Sequence, residues 1–160
     1  NEGEGEGNIP LDFFLGEDMP EKIQRFCAAT GQRVPQTKGE IARTAYESLA
    51  MSYRVVLEGL DKVKGRRIDV LHIVGGGARN ALLNQLTADV IDREVVAGPY
   101  EATAIGNLMM QIKSTGDVAS FAEMREVIAR SFTVEHFAPR HTAQWEDAFG
   151  RYREIVRTRK

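Results

Sequence analysis

The stretch Ile68–Asp89 constrains the fold of this chain more than any other feature. An apolar run, interrupted by Asp69 and His72, is followed at once by three glycines and then by a leucine-rich segment. This order predicts a buried β-strand that runs through a glycine turn into an amphipathic α-helix. Glycine lacks the Cβ atom that would keep a ligand off the backbone, and the start of a helix presents free N–H groups. The stretch is therefore a candidate site for a nucleotide phosphate.

The spacing of the glycines excludes the two commonest glycine-loop motifs. A dinucleotide fingerprint, G-x-G-x-x-G, would need glycine where Asn80 stands, and a P-loop would end in G-K-[ST], which has no counterpart here. A tight strand-to-helix turn without any ligand is the alternative interpretation. Three consecutive glycines argue against it, because each one costs roughly 0.5–1 kcal/mol of stability relative to alanine.

Composition and charge indicate one soluble globular domain. The chain has 160 residues and a formal net charge of −2, which gives no reason to expect nucleic-acid or membrane binding. Cys27 is the only cysteine, so an internal disulfide is excluded and a cytoplasmic location is expected. Its position after Phe26 on a predicted helix favours a buried apolar role over a nucleophilic one. His136 and His141 lie five positions apart across a proline, which is poor spacing for a metal site.

Capping signals and hydrophobic periodicity divide the rest of the chain. Residues 1–17 begin with alternating glycine and glutamate and are predicted to be a tail or linker. Thr37 and Glu40 form a predicted capping box at the start of the longest helix. A second strand is predicted at 94–97, and with the first it would form a right-handed, parallel βαβ unit. Five or six helices accompany only these two convincing strands, so we expect further strands outside the chain or in its N-terminus. The incomplete sheet is then a possible surface for a homodimer.

Three single positions carry expectations of their own. His72 alternates with apolar residues along the first strand, which favours a buried histidine with a satisfied hydrogen bond. Asp89 falls in the last turn of the helix after the glycines, where a carboxylate is unfavourable unless it has a hydrogen-bond partner. Gly106 interrupts the helix that follows the second strand and is expected to allow a close backbone contact.

Two motifs carry a resemblance to a known family. The runs HIVGGGARNALLNQLTAD and VVAGPYEATAIGN, supported by segments upstream and downstream, resemble the C-terminal part of the FGGY carbohydrate kinases. The similarity covers roughly residues 19–139, and the GGG-x-x-N turn and GP-x-EATA-x-GN helix start are unlikely to occur together by chance. These kinases have two actin-like, ribonuclease-H-like domains with a cleft between them. The resemblance thus implies an α/β fold for residues 18–160: part of such an ATPase domain, with helices packed on a small, mostly parallel sheet.

The resemblance also implies a function, the transfer of phosphate from ATP with Mg²⁺ to a sugar hydroxyl. It assigns ATP binding to Gly75, Gly76 and Gly77, with Gly76 the strongest candidate, and places Asn80 near the adenosine. In this family the catalytic aspartate and most sugar-binding residues lie in the N-terminal half, and no stretch here matches their surroundings. The chain is therefore expected to contain no catalytic residue or metal ligand, to be a C-terminal fragment and to be inactive alone. Asp92 departs from the family, which often has glycine at this turn. The identity of the sugar stays open, as does a non-enzymatic nucleotide-binding or assembly role.

Overall fold

The computed structural model describes residues 18–157. Within this range the chain forms six α-helices, three β-strands and one 3₁₀ turn. The helices are α1 (Met19–Ala29), α2 (Lys38–Lys64), α3 (Ala81–Ile91), α4 (Ala102–Thr115), α5 (Phe121–Ser131) and α6 (Ala143–Arg157). The strands are β1 (Val70–Ile73), β2 (Glu94–Ala97) and β3 (Glu135–Phe137), and the 3₁₀ turn is Gly76–Arg79. The predicted tail, residues 1–17, lies outside the described residues.

The sheet has the order β1-β2-β3, with β1 and β2 parallel and β3 antiparallel to β2. The α/β class and the parallel βαβ unit are thus confirmed, and β2 has the predicted bounds. The expectation of only two strands was wrong, because β3 adds a short antiparallel edge. The outer edge of β1 has no partner strand among the described residues.

Helix α2 begins as its sequence predicts. Thr37 accepts a hydrogen bond from the backbone N–H of Glu40, whose carboxylate accepts one from the N–H of Thr37, so the capping box is confirmed. Gly65 ends the helix in the left-handed conformation, with φ 66°.

Apolar side chains form three clusters, and the first two surround α3. The first joins α2, α3 and α6, and its buried members are Ala50, Met51, Leu86, Val90, Trp145 and Phe149. The second joins Leu57, Ala88, Ile91 and Val95 beneath the sheet. The third takes its buried members from α4, α5 and the loop between them: Ile105, Met109, Val118 and Met124.

Helix α3 is more central than an amphipathic helix on a sheet surface. All residues from Leu86 to Ile91 are buried, whereas Leu82, in the first turn of the helix, is 55% exposed. Asp89 has the expected hydrogen-bond partners: its carboxylate accepts from the Gln85 side chain at 2.8 Å and from the backbone N–H of Arg140 at 2.9 Å. These bonds fix the segment after β3 against α3.

Two expectations for single residues were wrong. His72 is exposed, because only Leu71 and Ile73, on the other face of β1, pack against the second cluster. A Cβ atom at Gly106 would meet no atom within 4 Å among the described residues, so close backbone packing does not explain this glycine.

The turn after α3 forms without the glycine that is common in the family. Asp92 adopts the left-handed conformation with φ 51° and ψ 47°, and its N–H donates to the carbonyl of Ala88. Aspartate tolerates this region better than most side chains, which explains how the turn keeps its shape. Arg67 contacts Asp92 through the backbone carbonyl and the carboxylate.

A largely buried ion pair lies beside this turn. The Arg93 guanidinium is 2.5 Å from the Asp61 carboxylate, and the two side chains are only 8% and 20% exposed. Asp61 also accepts a hydrogen bond from the backbone N–H of Ile68 at 2.8 Å, just before β1. The hydrogen bond from Arg93 is the largest cause that lowers the pKa of Asp61, and it outweighs the opposing effect of desolvation.

One face of α2 is apolar and exposed. Its residues follow each other at alternating intervals of four and three: Leu49, Tyr53, Val56, Leu60 and Val63. The exposed fraction rises to 86% at Val63. Such spacing is typical of a helix that packs against another element.

Within residues 18–157, no helix is long and apolar enough to cross a membrane.

Candidate nucleotide-binding site

The candidate site lies where the two parallel strands end. Ile73 and Ala97 are register partners at the carboxyl ends of β1 and β2, so the loops that follow them are neighbours. The N–H of Gly98 donates to the Ile73 carbonyl at 2.8 Å, and the N–H of Gly75 donates to the Pro99 carbonyl at 3.1 Å. Parallel α/β sheets bind ligands at this edge.

The glycine turn is a 3₁₀ turn and is separate from α3. Gly75 precedes it with φ 76° and ψ −160°, a conformation that requires glycine. The N–H of Ala78 donates to the Gly75 carbonyl at 3.0 Å, and the N–H of Asn80 donates to the Gly77 carbonyl at 3.2 Å. The predicted order of strand, glycine turn and helix is thus confirmed, and α3 begins at Ala81.

Gly76 and Gly77 differ from Gly75, because neither the backbone nor packing requires glycine there. Their φ angles lie outside the left-handed region, and an added Cβ would meet no atom within 4 Å. The bonds of the 3₁₀ turn start at Ala78, so within residues 18–157 the N–H groups of Gly76 and Gly77 have no acceptor. The turn therefore offers two backbone donors and open space beside them.

Asn80 caps α3. Its Oδ1 accepts a hydrogen bond from the backbone N–H of Leu83 at 3.0 Å, as expected for an N-cap asparagine. The structure thus shows this side chain as the cap of α3. The Asn80 side-chain nitrogen makes no hydrogen bond within the described part of the chain and remains available as a donor.

Asn84 links α3 to the glycine turn, and sequence reasoning missed it. The residue is 0% exposed, and its Nδ2 donates to the carbonyl of Ala78 at 2.8 Å. Its Oδ1 has no hydrogen-bond partner among the described residues. The signal in the sequence was an asparagine among the leucines of LLNQL, because asparagine is unfavourable inside a helix unless its side chain has a specific role.

Charged and aromatic side chains form the rim of the site. Arg79 pairs with the Glu101 carboxylate at 3.1 Å, and its guanidinium carbon lies 5.0 Å from the ring centroid of Tyr100. The Tyr100 hydroxyl donates to Glu135 at 2.5 Å, and this hydrogen bond is the main reason that the pKa of Tyr100 is raised. These contacts connect the glycine turn, the loop after β2 and strand β3.

The described residues do not supply a metal site of their own. Among residues 18–157, no three or more His, Cys, Asp or Glu side chains are grouped so that they could hold a metal ion. Glu101, the carboxylate on the rim, is paired with Arg79.

Comparison with known proteins identifies the family. The model of the C-terminal domain of the FGGY family of carbohydrate kinases matches residues 9–115, so the chain belongs to this family. Rhamnulokinase from Bacteroides thetaiotaomicron is 46% identical over 140 residues, 88% of this chain. The rhamnulokinases of Bacillus subtilis and Enterococcus faecalis are 43% and 48% identical over 80% and 77% of it. The chain spans only 25% to 29% of the length of these relatives. The resemblance in the two motifs is thereby confirmed.

Proposed function

We propose that this chain is the ATP-binding, C-terminal part of a rhamnulokinase-like carbohydrate kinase. The complete enzyme would transfer the γ-phosphate of ATP to a ketose hydroxyl and convert L-rhamnulose into L-rhamnulose 1-phosphate. The names of the similar relatives support this sugar. Xylulokinase and fuculokinase activities are the alternatives within the family. A cytoplasmic location follows from the use of ATP.

The observation that carries the proposal is the unexplained glycine at positions 76 and 77. A Cβ atom there would neither strain the backbone nor meet a protein atom within 4 Å. The space beside the two free N–H groups is thus open to a ligand, and backbone N–H groups are common donors to phosphate. Glycine at these positions lets the phosphate oxygens approach the backbone directly.

Magnesium fits this proposal as a partner of the nucleotide. Mg²⁺ keeps several water ligands and is usually bound through substrate phosphates and one or two carboxylates. Because the described residues include no cluster of metal ligands, we expect the ion to arrive with ATP and to neutralise phosphate charge. The residues of this chain would bind and orient the nucleotide.

Catalysis requires groups that the chain does not supply. Phosphoryl transfer to an alcohol needs a base that accepts the hydroxyl proton, and the family's catalytic aspartate has no counterpart in this sequence. We therefore expect the 160-residue chain to be unable to phosphorylate L-rhamnulose. A rate of L-rhamnulose phosphorylation above that of a protein-free blank, measured with purified chain and Mg-ATP, would contradict this expectation.

Calorimetric titration of the chain with ADP tests the nucleotide site. Gly76→Val adds bulk where ADP phosphates would approach but spares the protein interior, since the added Cβ has no neighbour within 4 Å. Gly59→Val is the matched control, because Gly59 is exposed on α2 and its Cβ would also meet no atom within 4 Å. We expect ADP to bind to the chain and to the Gly59 variant and to lose at least tenfold in affinity in the Gly76 variant. Equal affinities in all three proteins would place the nucleotide elsewhere.

A second candidate is a non-enzymatic assembly role, favoured by the open edge of β1. The Ile73 carbonyl accepts from Gly98, so Ile73 directs its backbone groups toward β2 and its neighbour His72 directs them outward. A second copy of the chain would pair there through backbone hydrogen bonds. Sedimentation should then show a dimer that His72→Pro dissociates, because proline removes an outward donor without breaking the β1–β2 ladder. A monomeric chain at all concentrations would exclude this role.

A further inference from the structure

We propose that Asn84 is a positioning residue that holds the glycine turn in the shape that receives the nucleotide. The inference deepens the proposed function and rests on it for its functional part. Asn84 makes no contact with the open space beside Gly76 and Gly77, because it is fully buried. It would act through the carbonyl of Ala78, to which its amide nitrogen donates at 2.8 Å.

The backbone around Ala78 explains why a side chain is needed. Asn80 has ψ 86°, which interrupts the helical hydrogen-bond ladder between the 3₁₀ turn and α3. The carbonyl of Ala78 lies at this interruption, and the Asn84 side chain satisfies it. The N–H of Ala78 is bonded to the Gly75 carbonyl at 3.0 Å. Both the N–H and the C=O of Ala78 are thus fixed, and the N–H groups of Gly76 and Gly77 lie within the turn that the bond between Gly75 and Ala78 closes.

Stability alone does not account for an asparagine at this position. Its Oδ1 is buried and has no partner among the described residues, and an unsatisfied buried acceptor destabilises the folded state. Leucine has the same number of side-chain heavy atoms; it would remove the unsatisfied Oδ1 and bury two more apolar groups, which offsets the cost of leaving the Ala78 carbonyl without a donor. The benefit of asparagine is therefore the orientation that its Nδ2 imposes on the turn.

The test compares Asn84→Leu with the unmodified chain in two measurements. Amide hydrogen exchange, followed by nuclear magnetic resonance, reports on the bonded N–H groups of Ala78 and Asn80. We expect these two amides to exchange at least about tenfold faster in the variant, while the melting temperature changes little. ADP titration should show an affinity about tenfold lower. Asn107→Leu is the matched control, because Asn107 is exposed on α4, and it should alter neither quantity.

The two measurements separate the positioning role from the nucleotide site. Unchanged exchange at Ala78 and Asn80 in Asn84→Leu would overturn the inference, and so would faster exchange throughout α3 with a large loss of melting temperature. Faster exchange confined to the turn, with ADP affinity as in the unmodified chain, would also overturn it. If the unmodified chain fails to bind ADP while the local exchange changes as expected, the positioning of the turn by Asn84 stands and the proposed nucleotide site fails.

Discussion

Arg54 contacts both α3 and α6 from α2, and its replacement measures how much these contacts stabilise the packing of the three helices. The side chain is 15% exposed and lies between four partners. Its Nη1 donates to the Val90 carbonyl at 3.1 Å, and Nε and Nη2 lie 3.2 and 2.8 Å from the carboxylates of Glu58 and Glu146. The guanidinium carbon lies 4.2 Å from the ring centroid of Phe149.

Arg54→Met removes all four interactions but keeps an unbranched apolar side chain. A charge-assisted hydrogen bond to a carbonyl contributes about 1.5–3 kcal/mol. The contact with the ring of Phe149 adds about 0.5–2 kcal/mol. The two ion pairs add about 1 kcal/mol together at most, because both glutamates are partly solvated. Burial of the methionine offsets about 1–2 kcal/mol of this. The midpoints of these ranges give a fall of about 2–3 kcal/mol in the free energy of unfolding, which lowers the melting temperature by about 5–10 °C.

Urea unfolding followed by tryptophan fluorescence measures this loss directly. Trp145 is the only tryptophan of the chain, it is 6% exposed, and it belongs to the cluster that Arg54 borders. Arg43→Met is the matched control, because the ion pair of Arg43 with Glu47 involves a 62% exposed arginine and should contribute less than about 0.5 kcal/mol. Equal losses in the two variants would refute the assignment of Arg54 as a specific link between the helices.

Three further predictions concern the core, acid stability and the loop after β2. Val90→Ala removes two methyl groups from a fully buried site and should cost about 2–3 kcal/mol in urea unfolding; a loss below about 1 kcal/mol would mean that the core collapses into the space. Arg93 lowers the pKa of Asp61 in the folded state. The ionised carboxylate therefore stabilises the fold at pH values above its unfolded pKa of about 3.9, and this stabilisation is lost as the pH falls through its lower pKa in the folded state. Asp61→Asn should therefore destabilise the chain most at neutral pH, with a gap that narrows below about pH 4; a gap independent of pH would contradict this. Gly98→Ala should lower the free energy of unfolding by at least about 1 kcal/mol, because Gly98 has φ 116° and an added Cβ would lie 3.4 Å from the Thr133 carbonyl oxygen. An unchanged melting temperature would show that the loop adapts to the methyl group.

Local signals predicted those elements whose ends are marked by side-chain chemistry. The capping box at Thr37 and the left-handed Gly65 set the limits of α2, and an apolar run between polar turns set those of β2. Strand β3 was not predicted, because its three residues, Glu135, His136 and Phe137, form an edge strand. An edge strand does not require the alternation of apolar and polar residues that marks a half-buried strand.

The exposure of His72 in β1, the 3₁₀ form of the turn and the contact of Asn84 could not be predicted, since they depend on tertiary context. His72 was expected to be buried because it lies within an apolar run, but only one face of β1 is covered among the described residues. The 3₁₀ turn left no pattern in its glycines, which have no side chains to show periodicity. Asn84 acquires its role from the carbonyl of Ala78, a contact that composition and spacing do not reveal.

The separate apolar cluster of α4 and α5 has a consequence for motion near the candidate site. Because its buried side chains come only from these two helices and the loop between them, we expect the pair to open as a cooperative unit before α2, α3 and the sheet unfold. Opening of this kind would carry Glu101, which precedes α4, away from Arg79 and free the guanidinium. The rim of the glycine turn thus adjoins a unit with its own small core, so a ligand could reach the proposed nucleotide site without disturbing the clusters around α3.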